Sequence, residues 1–426
     1  MAAVRRGCCV RRQKPGRLAG MAMKCGVLLG ALLGLSLSAV AQTGFVHTQG
    51  KILVDGAGKP LLLHGTSFGN WLEPEGYMLK LNGGPQSPGT IEALTRTLLG
   101  PEESAKFWVT WRKEYITRGD VQFMKKAGFN SIRIPFHYKF FANGSNEGFA
   151  LIDPVVAWAH EAGMYVILDM HDAPGGQTGA NIDDSDNYPW LYESPSAQQQ
   201  TLEIWTRIAK HYRNDKTVLG YDLLNEPVPG IPTLAHLKPM LEPMFKKIVA
   251  AVRMVDKNHV VIITGANWDG DFSVLGAPFD SNAMYTFHKY GIPGDKQEAI
   301  KSFIAFSEKY NVPLWLGESG ENQDAWVADY REVLEKNDIG WAFWPYKKMD
   351  SGSCDVTFAK PAHWDEIVDY AAHSWMIDVK HSPLRARPTD EVIHAAFDGL
   401  LTNIKFENEK VNAGYVKALL PETAVQ

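Results

Sequence analysis

The chain has 426 residues, of which 45% are hydrophobic and 21% charged, a composition that can bury a large core and excludes a disordered, collagen-like or coiled-coil protein. The formal charge is −5, and removing the seven basic residues of an N-terminal leader that contains no acid takes it to −12. An acidic chain of this kind is not expected to partner nucleic acid or an anionic membrane surface.

In chain order, Met23-Lys24 precedes an apolar run from Gly26 to Ser38 and then Ala39-Val40-Ala41. A basic region, a short apolar region and an A-x-A site predict a signal peptide cleaved after Ala41. The run is shorter than the ~20 apolar residues of a membrane span. Residues 1–41 are thus read as a removed leader, 42–426 as one catalytic domain, and the protein as secreted or periplasmic. Cys8, Cys9 and Cys25 leave with the leader, and Cys354 alone remains. Neither an intramolecular disulfide nor a cysteine-based zinc site is expected.

Lys51–Pro60 reads as a hairpin turning at Asp55-Gly56, placed as a cover over the bottom of the strands that come after it. Eight runs rich in Val, Ile and aromatics then recur: Leu61–Ser67, Ser131–Phe136, Met164–His171, Val218–Pro227, Val260–Gly265, Ala283–Tyr290, Val312–Ser319 and Ile339–Tyr346. Several are continuously apolar, as parallel strands covered by helices should be. Helices are predicted at 119–128, 154–163, 196–214, 237–258, 296–310 and 322–337. The alternation predicts an α/β fold, a single (β/α)8 TIM barrel. The gap between the first two strands and the stretch 173–194 show no period and are expected as cleft walls. The tail from Pro388 predicts a last helix and an extension without a predicted place.

In such a barrel the strands' C-terminal ends build the active site. Here they carry Arg133, Asp169-Met170-His171, Asn225-Glu226, His288-Lys289-Tyr290, Glu318 and Trp344. A carboxylate pair at two strand ends, Glu226 and Glu318, is the equipment for cleaving a glycosidic bond: one protonates the leaving oxygen, the other attacks or activates water at the anomeric carbon.

The ordered set Arg133, His171, Asn225-Glu226, His288, Tyr290, Glu318 and Trp344 resembles glycoside hydrolase family 5, over the whole length from strand one to strand eight. The resemblance implies Glu226 as acid/base and Glu318 as nucleophile in a retaining double displacement. Beside Glu318, Arg133 supplies a positive charge that favours the carboxylate, and Tyr290 a hydroxyl to donate to it. Glu226 is expected to be held protonated by the other carboxylate and by partial burial. Asn225 is expected to bond the sugar 2-hydroxyl, His171 and His288 to donate to hydroxyls or orient the glutamates, and Trp344 to offer an indole face to the pyranose.

Trp71, Trp190 and Trp268 fall near the predicted rim, each as sugar platform or loop anchor, with Trp71 and Trp268 counted as substrate-binding. Lys347, Asp350 and Trp364 are expected at the other end of the cleft. Asp183-Asp184-Ser185-Asp186 lacks the spacing of a calcium loop and reads as a solvated turn. No cofactor or metal is expected. The stretch His171-Asp172-Ala173-Pro174-Gly175-Gly176-Gln177 and the opening His64–Leu72 are similar to family members acting on β-1,3-glucans, whereas Tyr346-Lys347-Lys348-Met349-Asp350 departs from the exo-1,3-glucanase pattern. The substrate is therefore expected to be a β-glucan polysaccharide or oligosaccharide and the enzyme a monomer. A β-mannanase, a glycolipid-directed glycosidase, a transglycosylase and a non-catalytic carbohydrate-binding barrel stay open.

Overall fold

The computed structural model describes residues 44–180, 182–185, 187–373 and 386–422; the predicted leader and Asp186 lie outside them. Eight parallel strands close into a barrel: β1 His64–Ser67, β2 Ser131–His137, β3 Tyr165–Asp172, β4 Val218–Asp222, β5 Val260–Thr264, β6 Ala283–His288, β7 Leu314–Glu318 and β8 Gly340–Phe343. Each strand pairs with its chain neighbours, and β8 returns to β1 through Trp341↔His64. The α/β barrel expected from the eight apolar runs is the fold observed.

Side chains alternate between the two faces of a strand, and this period sorts the barrel. Val166, Leu168 and Met170 pack outward with the helices. Ile167 joins Leu219, Val260, Ile262, Met284, Trp315 and Ala342 in a plug inside the barrel. Val46 and Leu53 complete that plug from below. Leu53 comes from, and Val46 just precedes, an antiparallel sheet of His47–Gln49, Ile52–Val54 and Pro60–Leu61, so the predicted hairpin does cover the floor, with one strand more than expected. Continuing upward along the inner face of β3, Ile167 is followed by Asp169 and then His171. The apolar plug thus gives way to polar groups toward the strands' C-terminal ends.

The helices Arg118–Ala127, Glu147–Ala162, Pro195–Tyr212, Lys238–Val255, Lys301–Tyr310 and Asp324–Lys336 clothe the barrel, close to the predicted spans. The gap after β1 differs from expectation: it contains helices Pro88–Leu99 and Pro101–Glu114. Each starts with proline at its first turn, where the missing N–H is not needed, and each buries one face through Ile91, Leu94 and Leu98 or Phe107, Trp108 and Trp111. The tail forms the predicted helix, Asp390–Asn403. Its extension adds Lys410–Val411 to a small sheet with Lys347–Met349 and Val356–Phe358, then helix Ala413–Leu419. Cys354 is buried and free. Among the described residues no helix is long and apolar enough to cross a membrane.

Candidate active site

A cavity of about 420 Å³ opens at the C-terminal ends of the strands, lined by His171, Glu226, Tyr290, Glu318 and Trp344 together with Glu75, Tyr77, Ile182, Gly291, Gly320, Glu321 and Asn322. A larger one, about 780 Å³, involves Asp215–Thr217 just before β4, at the opposite end of the barrel and remote from these groups.

Arg133 organises the floor. Its guanidinium is buried and reaches Asp222 (Nε to Oδ2, 2.9 Å), Asp169 (Nη2 to Oδ2, 3.0 Å), Asn225 (Nη2 to Oδ1, 2.9 Å) and Glu318 through Nη1. A buried charge needs partners of this kind. Even with them, burial pushes Asp169 and Asp222 up to about 7, with Arg133 pulling the other way. Tyr290 donates to Glu318 Oε2 at 3.0 Å, so both oxygens of Glu318 are held. The register shifts between Leu316 and Glu318 where β7 pairs with β6, an irregularity that re-aims a side chain. Gly317 sits at this shift, where an added Cβ would lie 2.5 Å from Thr286 Oγ1 and 2.7 Å from His288 Nε2.

Glu226 stands just past β4 with φ +45°, a left-handed backbone uncommon for a side chain of its kind and found where the surroundings impose it. His288 Nδ1 lies 3.0 Å from Glu226 Oε1 and 3.7 Å from Glu318 Oε2. Ligand atoms of Glu226, His288 and Glu318 all lie within 4.8 Å of one another. Burial raises the Glu226 carboxyl above its ordinary range, opposed by His171 and Arg133. Burial is the main cause, where the sequence pointed first to the other carboxylate.

Both histidines are neutral, His171 lowered by burial to about 4 and His288 to about 3. His171 Nδ1 lies 2.8 Å from Asp169 Oδ2, and Nε2 accepts from Asn225 Nδ2 at 3.2 Å. His288 Nε2 lies 3.1 Å from Asp269 Oδ2. Burial holds Asp269 well above the carboxylate range. Trp344 stacks on His171 at 5.3 Å and 7° and donates to the Tyr77 hydroxyl at 2.8 Å. A Cβ on Gly69 would come within 2.3 Å of its ring, so glycine is what lets the indole sit there.

The structure therefore brings together eight of the predicted site residues. It does not bring Trp71 and Trp268. Trp71 is buried, its indole N–H donating to Arg112 O at 2.7 Å; it anchors the loop after β1 and presents no face to a ligand. Trp268 is half-buried after β5 and is not among the described residues lining the cavity. Trp190 is 52% exposed and likewise not among them. Lys347 and Trp364 are buried supports: Lys347 pairs with Asp120 and Glu409, and Trp364 donates to Leu79 O. Nor is the acidic stretch a solvated turn. Asp183 is buried and accepts from the N–H groups of Gln177 and Thr178, while Asp184 accepts from Gly89 N–H and meets His137. Gln177 is a brace, its Oε1 accepting from Ala173 N–H and its Nε2 donating to Asn225 O. Of the motif that suggested β-1,3-glucan, His171 lines the cavity, while Gln177 braces the end of β4 from behind it.

Sequence reasoning missed Asp222, Asp269, Glu75 and Tyr77. Asp222 interrupts an apolar strand, which is itself a sign of a buried cation nearby. Among the described residues two acceptor groups are compact enough to hold a cation: Glu73, Glu75 and His171, and Glu226, His288 and Glu318. The second is the carboxylate pair with its histidine.

A parallel eight-stranded barrel whose mouth sets two carboxylates against one another, over a buried arginine and between neutral histidines, defines the class of barrel glycosidases. Residues 95–350 match the model of Cellulase (glycosyl hydrolase family 5). The chain belongs to glycosyl hydrolase family 5 and is a glycoside hydrolase. It is 26% identical over 347 residues to a β-xylosidase of Phanerodontia chrysosporium, covering 72% of this chain and 71% of that one. It is 28% identical to endoglucanase C of Acetivibrio thermocellus, covering 55% and 85%. With a probable glucan 1,3-β-glucosidase A of Aspergillus fumigatus it shares 26% identity, over 60% and 64%. A crystal structure of an endogalactoceramidase has the same fold, with a TM-score of 0.57 at 18% identity, covering 88% and 84%.

Proposed function

We propose that residues 42–426 form one catalytic domain of an exported, retaining β-glycosidase acting on β-glucans, with Glu226 as acid/base and Glu318 as nucleophile. The observation that carries this is how close the two carboxylates come: one oxygen of Glu226 and one of Glu318 lie within 4.8 Å of each other. Retaining enzymes hold their carboxyl groups about 5–5.5 Å apart, whereas inverting ones need about 6.5–9.5 Å to admit a water.

In the first step Glu318 attacks the anomeric carbon and Glu226 passes its proton to the glycosidic oxygen, so that the leaving sugar departs neutral and a glycosyl ester remains. Glu226 Oε1 is engaged by His288 Nδ1 at 3.0 Å, and Oε2 is the oxygen left to carry the proton. In the second step Glu226, now a carboxylate, takes a proton from water as that water displaces Glu318. Two displacements restore the original configuration. One amide N–H of Asn225 is committed to His171, and the other is free for the sugar 2-hydroxyl, a contact that strengthens in the transition state.

The relatives named for glucan hydrolysis support a β-glucan substrate, and the basic and apolar leader ending at Ala41 supports export. Product analysis on laminarin, carboxymethylcellulose, lichenan and mannan, with Glu318→Ala in parallel, tests the proposal. Glucose or gluco-oligosaccharides released by the wild type alone are expected; equal inertness of both proteins on every glucan would overturn it.

A further inference from the structure

We infer that Asn267, in the loop after β5, is a positioning residue for the acid/base: its backbone N–H grips the chain just past Glu226 and so fixes where that carboxyl stands. This rests on the assignment of Glu226 above and deepens it.

The loop after β4 leaves its strand in an uncommon backbone. Glu226 has φ +45° and Val228 φ +46°; a left-handed conformation is rare outside glycine and a genuine outlier for a residue branched at Cβ, such as valine. Backbones of this kind persist only where neighbouring structure imposes them. Three hydrogen bonds hold this one. Gln177 Nε2 donates to Asn225 O at 3.0 Å, Val228 N–H donates to Gln177 O at 3.1 Å, and Asn267 N–H donates to Val228 O at 2.7 Å. The first two tie the segment to the loop after β3, the third to the loop after β5. Pro227, between Glu226 and Val228, has no N–H to add to them.

Asn267 reaches Val228 from a turn that is left-handed itself. Asn267, Trp268 and Asp269 have φ +58°, +58° and +60°; outside glycine this region is visited mainly by Asn and Asp, and then as single residues, not runs. The base of the turn is closed by Ala266 and Asp271, which exchange backbone bonds at 3.1 and 2.8 Å. Asp271 Oδ2 in turn accepts from Lys238 Nζ at 3.1 Å and from Asn267 Nδ2 at 3.3 Å. The Asn267 side chain is thereby tied to its own turn, while its N–H crosses to Val228. The same turn carries Asp269, whose Oδ2 lies 3.1 Å from His288 Nε2, and His288 Nδ1 lies 3.0 Å from Glu226 Oε1. Neither Asn267 nor Asp269 is among the described residues lining the cavity, so the turn acts on the reaction through Glu226 and not on the sugar. A catalytic group misplaced by about 1 Å can cost about 100-fold in rate.

The test compares three variants. Asn267→Gly keeps both the N–H and the left-handed backbone, whereas Asn267→Val, branched at Cβ, opposes that backbone. Asp271→Ala, at a half-buried position, loosens the base of the turn and decides the matter if the valine variant does not fold. Each is assayed on laminarihexaose and cellohexaose, whose leaving hydroxyl must be protonated, and on a dinitrophenyl β-glucoside, whose leaving group departs as an anion. Asn267→Val should lower kcat/KM for the hexaoses by about 100-fold and for the aryl glucoside by less than about tenfold. Asp271→Ala should lower hexaose kcat/KM by about tenfold, and Asn267→Gly should stay within about threefold of the wild type on both substrates. Wild-type hexaose cleavage by Asn267→Val, or by Asp271→Ala where the valine variant is unfolded, would overturn the inference. So would equal losses on the two substrates, or a loss in Asn267→Gly as deep as in Asn267→Val. Glu226→Gln on the same substrates separates the two failures: equal losses there remove the acid/base assignment and this inference with it, whereas a selective loss there beside a wild-type Asn267→Val removes this inference alone.

Discussion

Replacing Glu226 by glutamine changes little but a proton. The side chain is 15% exposed, the amide has the same shape, and its oxygen can still accept from His288 Nδ1, 3.0 Å away in the wild type. The fold and Glu318 with its partners Arg133 and Tyr290 should be undisturbed. A positioned general acid contributes about 10²–10⁴ in rate, or about 3–5.5 kcal/mol at roughly 1.36 kcal/mol per tenfold. That loss should appear in kcat/KM for oligosaccharides, whose leaving hydroxyl must be protonated. A dinitrophenyl β-glucoside has a leaving group stable as an anion, so its kcat/KM should fall less than about tenfold, while its kcat falls because the second step lacks a base. The wild type should lose activity at alkaline pH as Glu226 deprotonates, and the variant acting on the aryl glucoside should lack that limb. Steady-state kinetics on both substrates across pH decide the matter. Equal losses on the two substrates would refute the acid/base assignment.

Arg133→Met should cost about 3–5 kcal/mol of stability, because breaking a buried ion pair strands its partners; urea unfolding should reveal it, and a change below about 1 kcal/mol would contradict the role of the guanidinium. Tyr290→Phe removes one hydrogen bond to a charged group, about 1.5–3 kcal/mol, so kcat should fall about 10- to 150-fold with little shift in Tm, and an unchanged kcat would contradict it. Gly69→Ala should displace the Trp344 ring and lower kcat/KM by on the order of 100-fold, with wild-type kinetics as the contrary result. Stability should also fall as pH rises from 6.5 to 8.5. Asp169 and Asp222 are raised to about 7 and Asp355 to about 8, so across this window the folded state binds protons that the unfolded state has already lost. The lowered histidines His171 and His288 act in the opposite sense, but below about 6.5. A Tm that rises over this range in thermal scans would contradict the assignment.

The barrel was legible because its strands are short apolar runs at regular intervals, and the mouth because polar residues end those runs. Period two along β3 places Ile167, Asp169 and His171 on one inner face, so a single stretch of sequence carries plug, charge partner and site. The helices at 88–99 and 101–114 were missed because their apolar positions lie among charged and polar residues in a long gap where loops were expected. Trp71 was misjudged since a tryptophan's value as a platform depends on which way its loop folds, and Arg112 O claims the Trp71 indole. The sense of the Glu226 shift was legible and burial was named as one of its causes, but that burial outweighs the other carboxylate was not, because the extent of burial depends on the loops overhead. Glu75 and Tyr77 were invisible as cavity residues for the same reason: their place comes from ties to Trp344 and Lys348, which are distant in the chain.

The central claim is a covalent glycosyl ester on Glu318. Incubation with a 2-deoxy-2-fluoro-β-glucoside carrying a dinitrophenolate leaving group should slow the second step and trap that ester, read by mass spectrometry of the intact protein and of its peptides. One added sugar per chain, mapped to the peptide containing Glu318, is the predicted result. An adduct on another residue, or none in a protein that turns over the ordinary aryl glucoside, would contradict it.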